Sequence, residues 1–179
     1  MSECVQRRVY LSLGSNIDRE KNILACLDAL AEHFGRLIIS PVYESESVGF
    51  AGDSFYNLVV GIDSALSIGE LAVIMRDIEA ENKRSRAGPK FGPRTLDIDI
   101  LTCGELSGLV DGVELPRDEV TENAFVLLPL VDIAPDDRHP LNGKLYRDIA
   151  TSFSGSEQKL WRIDFTWQGR VISRGKVSE

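Results

Sequence analysis

The chain has 179 residues, 43% of them hydrophobic and 27% charged, a balance of globular type and a length that fits one domain with one sizeable core. Twenty basic residues against 28 acidic ones leave a formal charge of −8, which disfavours a polyanionic nucleic-acid partner. No run approaches the ~18 apolar residues that a membrane span needs, and the N-terminus carries no apolar signal segment, so we expect a soluble cytoplasmic protein.

Residues 8–14 alternate Val9, Leu11 and Leu13 with Tyr10 and Ser12, the period of a half-buried first strand. Asp18 then precedes Ile23, Leu27, Leu30, Ala31 and Phe34 at helical spacing, and Gly35 follows as a stop. A helix over 19–34 is predicted. Residues 37–45 and 55–63 are rich in β-branched and aromatic side chains and flank a glycine-containing loop, so they read as two paired strands. Ser67 and Glu70 have the spacing of a capping box, and Leu71, Ile74, Met75 and Ile78 supply the buried face of a second helix running to about Glu81. Residues 95–102 alternate again as a fourth strand. The order βαββαβ is that of the ferredoxin-like α+β sandwich, with helices on one face of an antiparallel sheet.

Past this unit, residues 122–136 read as a short apolar helix stopped near Pro135, and 158–175 as a C-terminal hairpin around Gln168-Gly169. One domain over 1–179 is the expectation. Cys4, Cys26 and Cys103 lack metal-ligand spacing and read as free thiols of a reducing compartment. His33 and His139 are isolated and read as solvated surface residues.

Chemistry concentrates between Glu79 and Asp99. Lys83, Arg84, Arg86, Lys90 and Arg94 stand in a stretch without an acidic residue, and Gly88, Pro89, Gly92 and Pro93 prevent it from continuing the second helix. A cationic loop of this kind can close over polyphosphate. Asp97 and Asp99 follow, and the period of two turns both carboxylates to one strand face, away from Leu96, Ile98 and Ile100. Paired hard oxygen ligands suit Mg²⁺, which completes its shell with water and phosphate oxygens. Either half alone is weak, since a DxD strand more often marks a solvated sheet face and a basic loop more often aids solubility. Their adjacency points to a metal–polyphosphate site.

The segment FGPRTLDIDIL resembles the signature of the hydroxymethyldihydropterin pyrophosphokinases, and YLSLGSNI, SPVYES, VG followed by FYN, and FVLLPLVDIAP occur in that family's order over residues 8–150. The resemblance implies transfer of pyrophosphate from ATP to the hydroxymethyl group of 6-hydroxymethyl-7,8-dihydropterin with release of AMP, in folate biosynthesis, assisted by two Mg²⁺ ions. It assigns both metals to Asp97 and Asp99, catalytic phosphate contacts to Arg84 and Arg94, and the pterin to Ser45, Val48, Phe55, Asn57 and Phe125. Glu79, Arg84, Arg86, Phe91, Arg94 and Arg117 fall on the nucleotide side. Gly14, Ser15 and Asn16 match the family's GSN turn, with a structural role at least as well supported as ligand contact. Phe91 stands where the family usually has tryptophan, Arg117 where it has histidine and Asn123 where it has arginine, and Asp118 adds a negative charge. These departures keep open a paralogue using another nucleotide donor or heterocyclic alcohol. A non-catalytic binding module is the remaining alternative, and a monomer or weak homo-oligomer is expected.

Overall fold

The computed structural model describes residues 6–45, 54–83, 96–153 and 159–175. Strand β1 (Arg7–Ser15) buries Val9, Leu11 and Leu13 on one face, as its alternation requires. Helix α1 (Arg19–Phe34) has the predicted bounds and buries Ile23, Cys26, Leu27 and Leu30. Its start is built differently from the Asp18 cap that its sequence suggests. Asp18 takes a left-handed conformation (φ 40°) and makes no side-chain capping bond, while the Asn22 amide donates to the Ile17 carbonyl at 2.6 Å. Gly35 (φ 76°) ends the helix, its N–H donating to the Ala31 carbonyl.

The single strand predicted over 37–45 is two short ones, β2 (Ile38–Ile39) and β3 (Tyr43–Ser45). Pro41 has no N–H for a ladder, and at the break Ser40 Oγ accepts from the Val59 N–H at 2.8 Å. Both strands pair with β4 (Phe55–Ser64). Helix α2 (Ile68–Lys83) opens on the predicted capping box: the Glu70 N–H donates to Ser67 Oγ at 3.1 Å and the Ser67 N–H to Glu70 Oε1 at 3.2 Å. Strand β5 (Asp97–Cys103) follows.

The chain continues through a hairpin of β6 (Gly108–Val110) and β7 (Val113–Leu115), then α3 (Glu119–Glu122), α4 (Ala124–Ile133) and α5 (Tyr146–Ser152). It ends in β8 (Leu160–Arg162), β9 (Phe165–Trp167) and β10 (Arg170–Ser173). The main sheet has the order β5-β1-β4-β3-β8, with β2 also on β4, and its pairings are antiparallel. Helix α1 carries the chain from β1 past β4 to β3, and α2 carries it from β4 past β1 to β5. Two interleaved βαβ units therefore leave β1 and β4 central, which is the ferredoxin-like arrangement.

Helices cover both faces, not one. α1 and α2 lie over Leu11, Leu13, Leu58, Val60, Ile98 and Ile100, whereas Val126 and Leu130 of α4 pack with Tyr10, Val59 and Leu101. The second layer exists because Tyr10 and Val59 make that end of the sheet apolar on its reverse face too. Leu101 joins them by alternation, two residues after Asp99, and sits at a bulge where the β1–β5 register passes from Tyr10↔Thr102 to Leu11↔Ile100.

The C-terminal segment corrects the sequence reading in part. The predicted turn is present, with Gln168 (φ 49°) and Gly169 (φ 74°) joining β9 to β10, but β8 leaves this hairpin and pairs with β3 of the main sheet. His139 is not a solvated residue either. It is buried, its Nδ1 accepts from the N–H groups of Leu141 and Asn142, and burial lowers its proton affinity. His33 is exposed as predicted, and Cys26 and Cys103 are free and buried. Among the described residues no helix is long and apolar enough to cross a membrane.

Candidate active site

The reverse face of the sheet gathers the predicted residues into rows. Register pairs Tyr43 with Asn57, Asn57 with Gly14 and Gly14 with Asp97, while Ser12 pairs with Asp99. Alternation gives these positions one common face, opposite Ile98 and Ile100, and Phe55 shares it two residues from Asn57. Ser45 lies opposite Phe55 in the next row. Three strands, β5, β4 and β3, thus bring Asp97, Asp99, Asn57, Phe55 and Ser45 to the face on which α4, bearing Phe125, is packed.

Asn57 is buried, and its Nδ2 donates to Ser45 Oγ at 2.8 Å. That bond fixes which way the amide points. On the other side a Cβ at Gly14 would come within 3.3 Å of Asn57 Oδ1, so glycine leaves room for the carbonyl end. One N–H and the Oδ1 lone pairs are then available to a heterocycle edge. Phe55 and Phe125 are half-buried, so each ring keeps surface to offer.

Asp97 and Asp99 are both partly exposed, with the Asp99 side chain at 47%, as ligands that share a cation with water and phosphate should be. Two carboxylates on one face are hard oxygen donors of the kind Mg²⁺ takes, one or two at a time, alongside water and phosphate oxygens. Glu79, assigned by resemblance to the nucleotide side, accepts the Ile98 N–H at 3.1 Å. It thereby ties α2 to the outer edge of β5 between the two aspartates.

Arg117 follows β7, anchored by its N–H on the Leu101 carbonyl. Its guanidinium donates twice to Glu119 at 3.2 Å and lies 3.7 Å from Asp99. Burial pulls this group toward neutrality, but Asp99, Glu119 and Asp118 outweigh it and hold the charge more firmly than usual. Asp118 is exposed ahead of α3, and Asn123 sits between α3 and α4. Val48, Arg84, Arg86, Phe91 and Arg94 lie outside the described residues.

Two features go beyond the sequence reading. Asn16 is fully buried just past β1, and among the described residues neither atom of its carboxamide has a hydrogen-bond partner. Buried amides rarely stay unmet, so its polar demand is of the kind that ordered water or a polar ligand satisfies. The second is a clasp where β3 ends and β4 begins. Glu44 accepts from Arg19 at 2.7 Å, from Ser54 Oγ at 2.5 Å and from Trp161 Nε1 at 3.1 Å, while Arg19 also donates to Ser54 and covers the Tyr56 ring at 4.1 Å. Its residues are far apart in sequence, and no local pattern links them.

A ferredoxin-like sheet with paired carboxylates on the same face as a buried, oriented amide defines the candidate small-molecule site. The family model described as 7,8-dihydro-6-hydroxymethylpterin-pyrophosphokinase (HPPK) matches residues 10–135, and the chain belongs to that family. It is 40% identical over 158 residues to the 2-amino-4-hydroxy-6-hydroxymethyldihydropteridine pyrophosphokinase of Pseudomonas aeruginosa, covering 85% of this chain and 96% of that protein. To the pyrophosphokinase of the same name from Aquifex aeolicus it is 35% identical over 143 residues, covering 79% and 89%. The fold is also that of Plasmodium falciparum HPPK-DHPS, a triple mutant crystallised with pteroate, at a TM-score of 0.71 and 15% identity. That match covers 93% of this chain and 48% of the other, so the chain spans about half of the Plasmodium protein.

Proposed function

We propose that the protein transfers pyrophosphate from ATP to the hydroxymethyl group of 6-hydroxymethyl-7,8-dihydropterin and releases AMP, a step of folate biosynthesis. One observation carries the reading: the same-face carboxylates Asp97 and Asp99 on β5 and the oriented amide of Asn57 on β4 share a single sheet face, with only β1 between their strands. Asn57 reads the pterin edge, Ser45 holds that amide in register, and Phe55 and Phe125 exclude water around the flat ring. Val48 joins the same pocket on the strength of the motif. Asp97 and Asp99 would hold Mg²⁺, two ions being expected with ATP, and the metal would supply positive charge to offset that of the triphosphate. Arg84, Arg86 and Arg94 are assigned to the phosphates by the motif, with Phe91 covering the nucleotide and Arg117 and Glu79 at its near side. The hydroxymethyl oxygen attacks the β-phosphorus as its bond to the α-phosphate oxygen breaks, and the hydroxymethyl proton passes to solvent. Buried free thiols at Cys26 and Cys103 fit a reducing, cytoplasmic compartment.

The test is AMP release from ATP, GTP and CTP with hydroxymethyldihydropterin, with and without Mg²⁺. Asp97→Ala or Asp99→Ala should lower transfer by roughly 10²–10³-fold, the scale of losing one preorganised electrostatic group, while melting stays unchanged. Full activity in either variant would remove the metal assignment. A second reading, another nucleotide donor, is favoured by one observation, the capture of Arg117 by Glu119 and Asp99. Preference for GTP or CTP in the same assay would establish it.

A further inference from the structure

The C-terminal strand β8 adds a fifth member to the row across the site, because Arg162 pairs with Tyr43. The row then runs Arg162, Tyr43, Asn57, Gly14, Asp97. Arg162 does more than extend it. Its Nε donates to the Tyr43 hydroxyl at 3.1 Å and its Nη2 to Asp132 Oδ1 at 2.7 Å, while the same hydroxyl donates to Asp132 Oδ2 at 2.5 Å. One planar fork therefore closes a triangle between β8, β3 and α4.

The two elements it ties are the two sides of the pterin slot. Tyr43 stands two residues before Ser45 on β3, beside Asn57 on β4. Asp132 lies seven residues, about two turns, after Phe125 on α4, so both project from the same side of that helix. Fixing Asp132 against Tyr43 fixes the distance between the helix that carries Phe125 and the strands that carry Ser45 and Asn57. Tyr43 and Asp132 share one hydrogen bond; the guanidinium supplies the second and third contacts. Neighbouring bonds hold β8 in place: the Ile163 N–H donates to the Val42 carbonyl, and Ser173 Oγ donates to the Ile163 carbonyl at 2.6 Å and accepts from the Val42 N–H at 2.9 Å.

We infer that Arg162 is a positioning residue for the heterocycle: by locking Tyr43 to Asp132 it sets the width of the slot between α4 and β3, and so the affinity for the pterin but not for the nucleotide. The inference rests on the proposed pterin site. Arg162 lies beyond residues 8–150, the span over which the sequence resembles the family.

The experiment is calorimetric binding of 6-hydroxymethylpterin in the presence of Mg²⁺ and a non-hydrolysable ATP analogue, alongside steady-state kinetics and thermal melting. It uses the parent chain, Arg162→Ala and Arg162→Lys. Arg162→Ala should weaken pterin binding and raise its KM by roughly tenfold, well within what a displaced binding group costs, with the KM for ATP and kcat within about twofold of the parent. Arg162→Lys should recover part of the affinity, because an ammonium can meet Asp132 but cannot span both partners. Unchanged pterin affinity in Arg162→Ala, even with a lower melting temperature, overturns the inference and leaves a structural role. An equal loss for ATP and pterin overturns it as well. A parent that binds the pterin but releases no AMP overturns the proposed reaction alone, and a parent that binds no pterin overturns both.

Discussion

Asn57 can read a ligand only while Ser45 holds its amide, since a free carboxamide rotates between two orientations with donor and acceptor exchanged. Ser45→Ala should therefore weaken pterin binding by about 0.5–1.5 kcal/mol, the net value of one hydrogen bond, and leave nucleotide binding alone. Calorimetry with each ligand checks this, and an equal effect on both would place Ser45 outside the pterin site. Two tyrosines of the same sheet face give a second residue-scale prediction. Burial, reinforced by hydrogen bonds to Asp137 and Asp132, pushes Tyr10 and Tyr43 up to about 12. An acid whose folded pKa is raised favours the neutral form in the fold. Its contribution is complete below the unfolded value near 10 and is lost as pH rises through about 12. The denaturation midpoint should fall between pH 10 and 12, with phenolate absorbance at these two sites delayed to the upper end. A midpoint constant across that window would contradict the two buried bonds.

At the scale of elements, α2 is the helix whose start the sequence spells out and whose length places Glu79 against β5. Ser67→Ala removes one half of its capping box and should cost about 1 kcal/mol in a denaturant titration, with no change in m. A loss well below that would mean that tertiary packing alone sets the helix start. Bounds were legible wherever one periodicity held for long enough, as in β1, α1 and β4. They failed where a backbone group found a side-chain partner from a distant segment: the Val59 N–H meeting Ser40 split a predicted strand into β2 and β3. The β6–β7 hairpin was readable and missed, because Asp111-Gly112 (φ 49° and 83°) is the dipeptide that a tight hairpin asks for. The site divides in the same way. Asp97, Asp99 and Asn57 stand in contiguous motifs, whereas Arg162, Asp132 and the Glu44 clasp are joined only by folding.

For the molecule as a whole, the C-terminal segment is structural core as well as sheet edge. Phe165 and Trp167 are buried in the main cluster beneath α1; Trp167 Nε1 donates to Asp28 at 2.9 Å, and Phe165 meets Tyr56 edge-on at 6.4 Å. Tyr56 in turn lies under Arg19, whose other contacts are Glu44 and Ser54, so β9 supports the clasp from below. Phe165→Ala removes a large ring from this stack and leaves a cavity that α1 and β4, pinned by the rest of the core, can close only in part. The cost should be about 3–5 kcal/mol, typical of a buried phenylalanine. For a chain of this length that lowers the melting temperature by about 6–20 °C. Because the cavity lies on the α1 side of the sheet, Asp97 and Asp99 keep their places, and nucleotide binding measured well below the melting point should be unchanged. A variant that melts like the parent would mean that the segment rests on the domain without supporting it. One that loses nucleotide binding while still folded would mean that the two faces of the sheet are coupled.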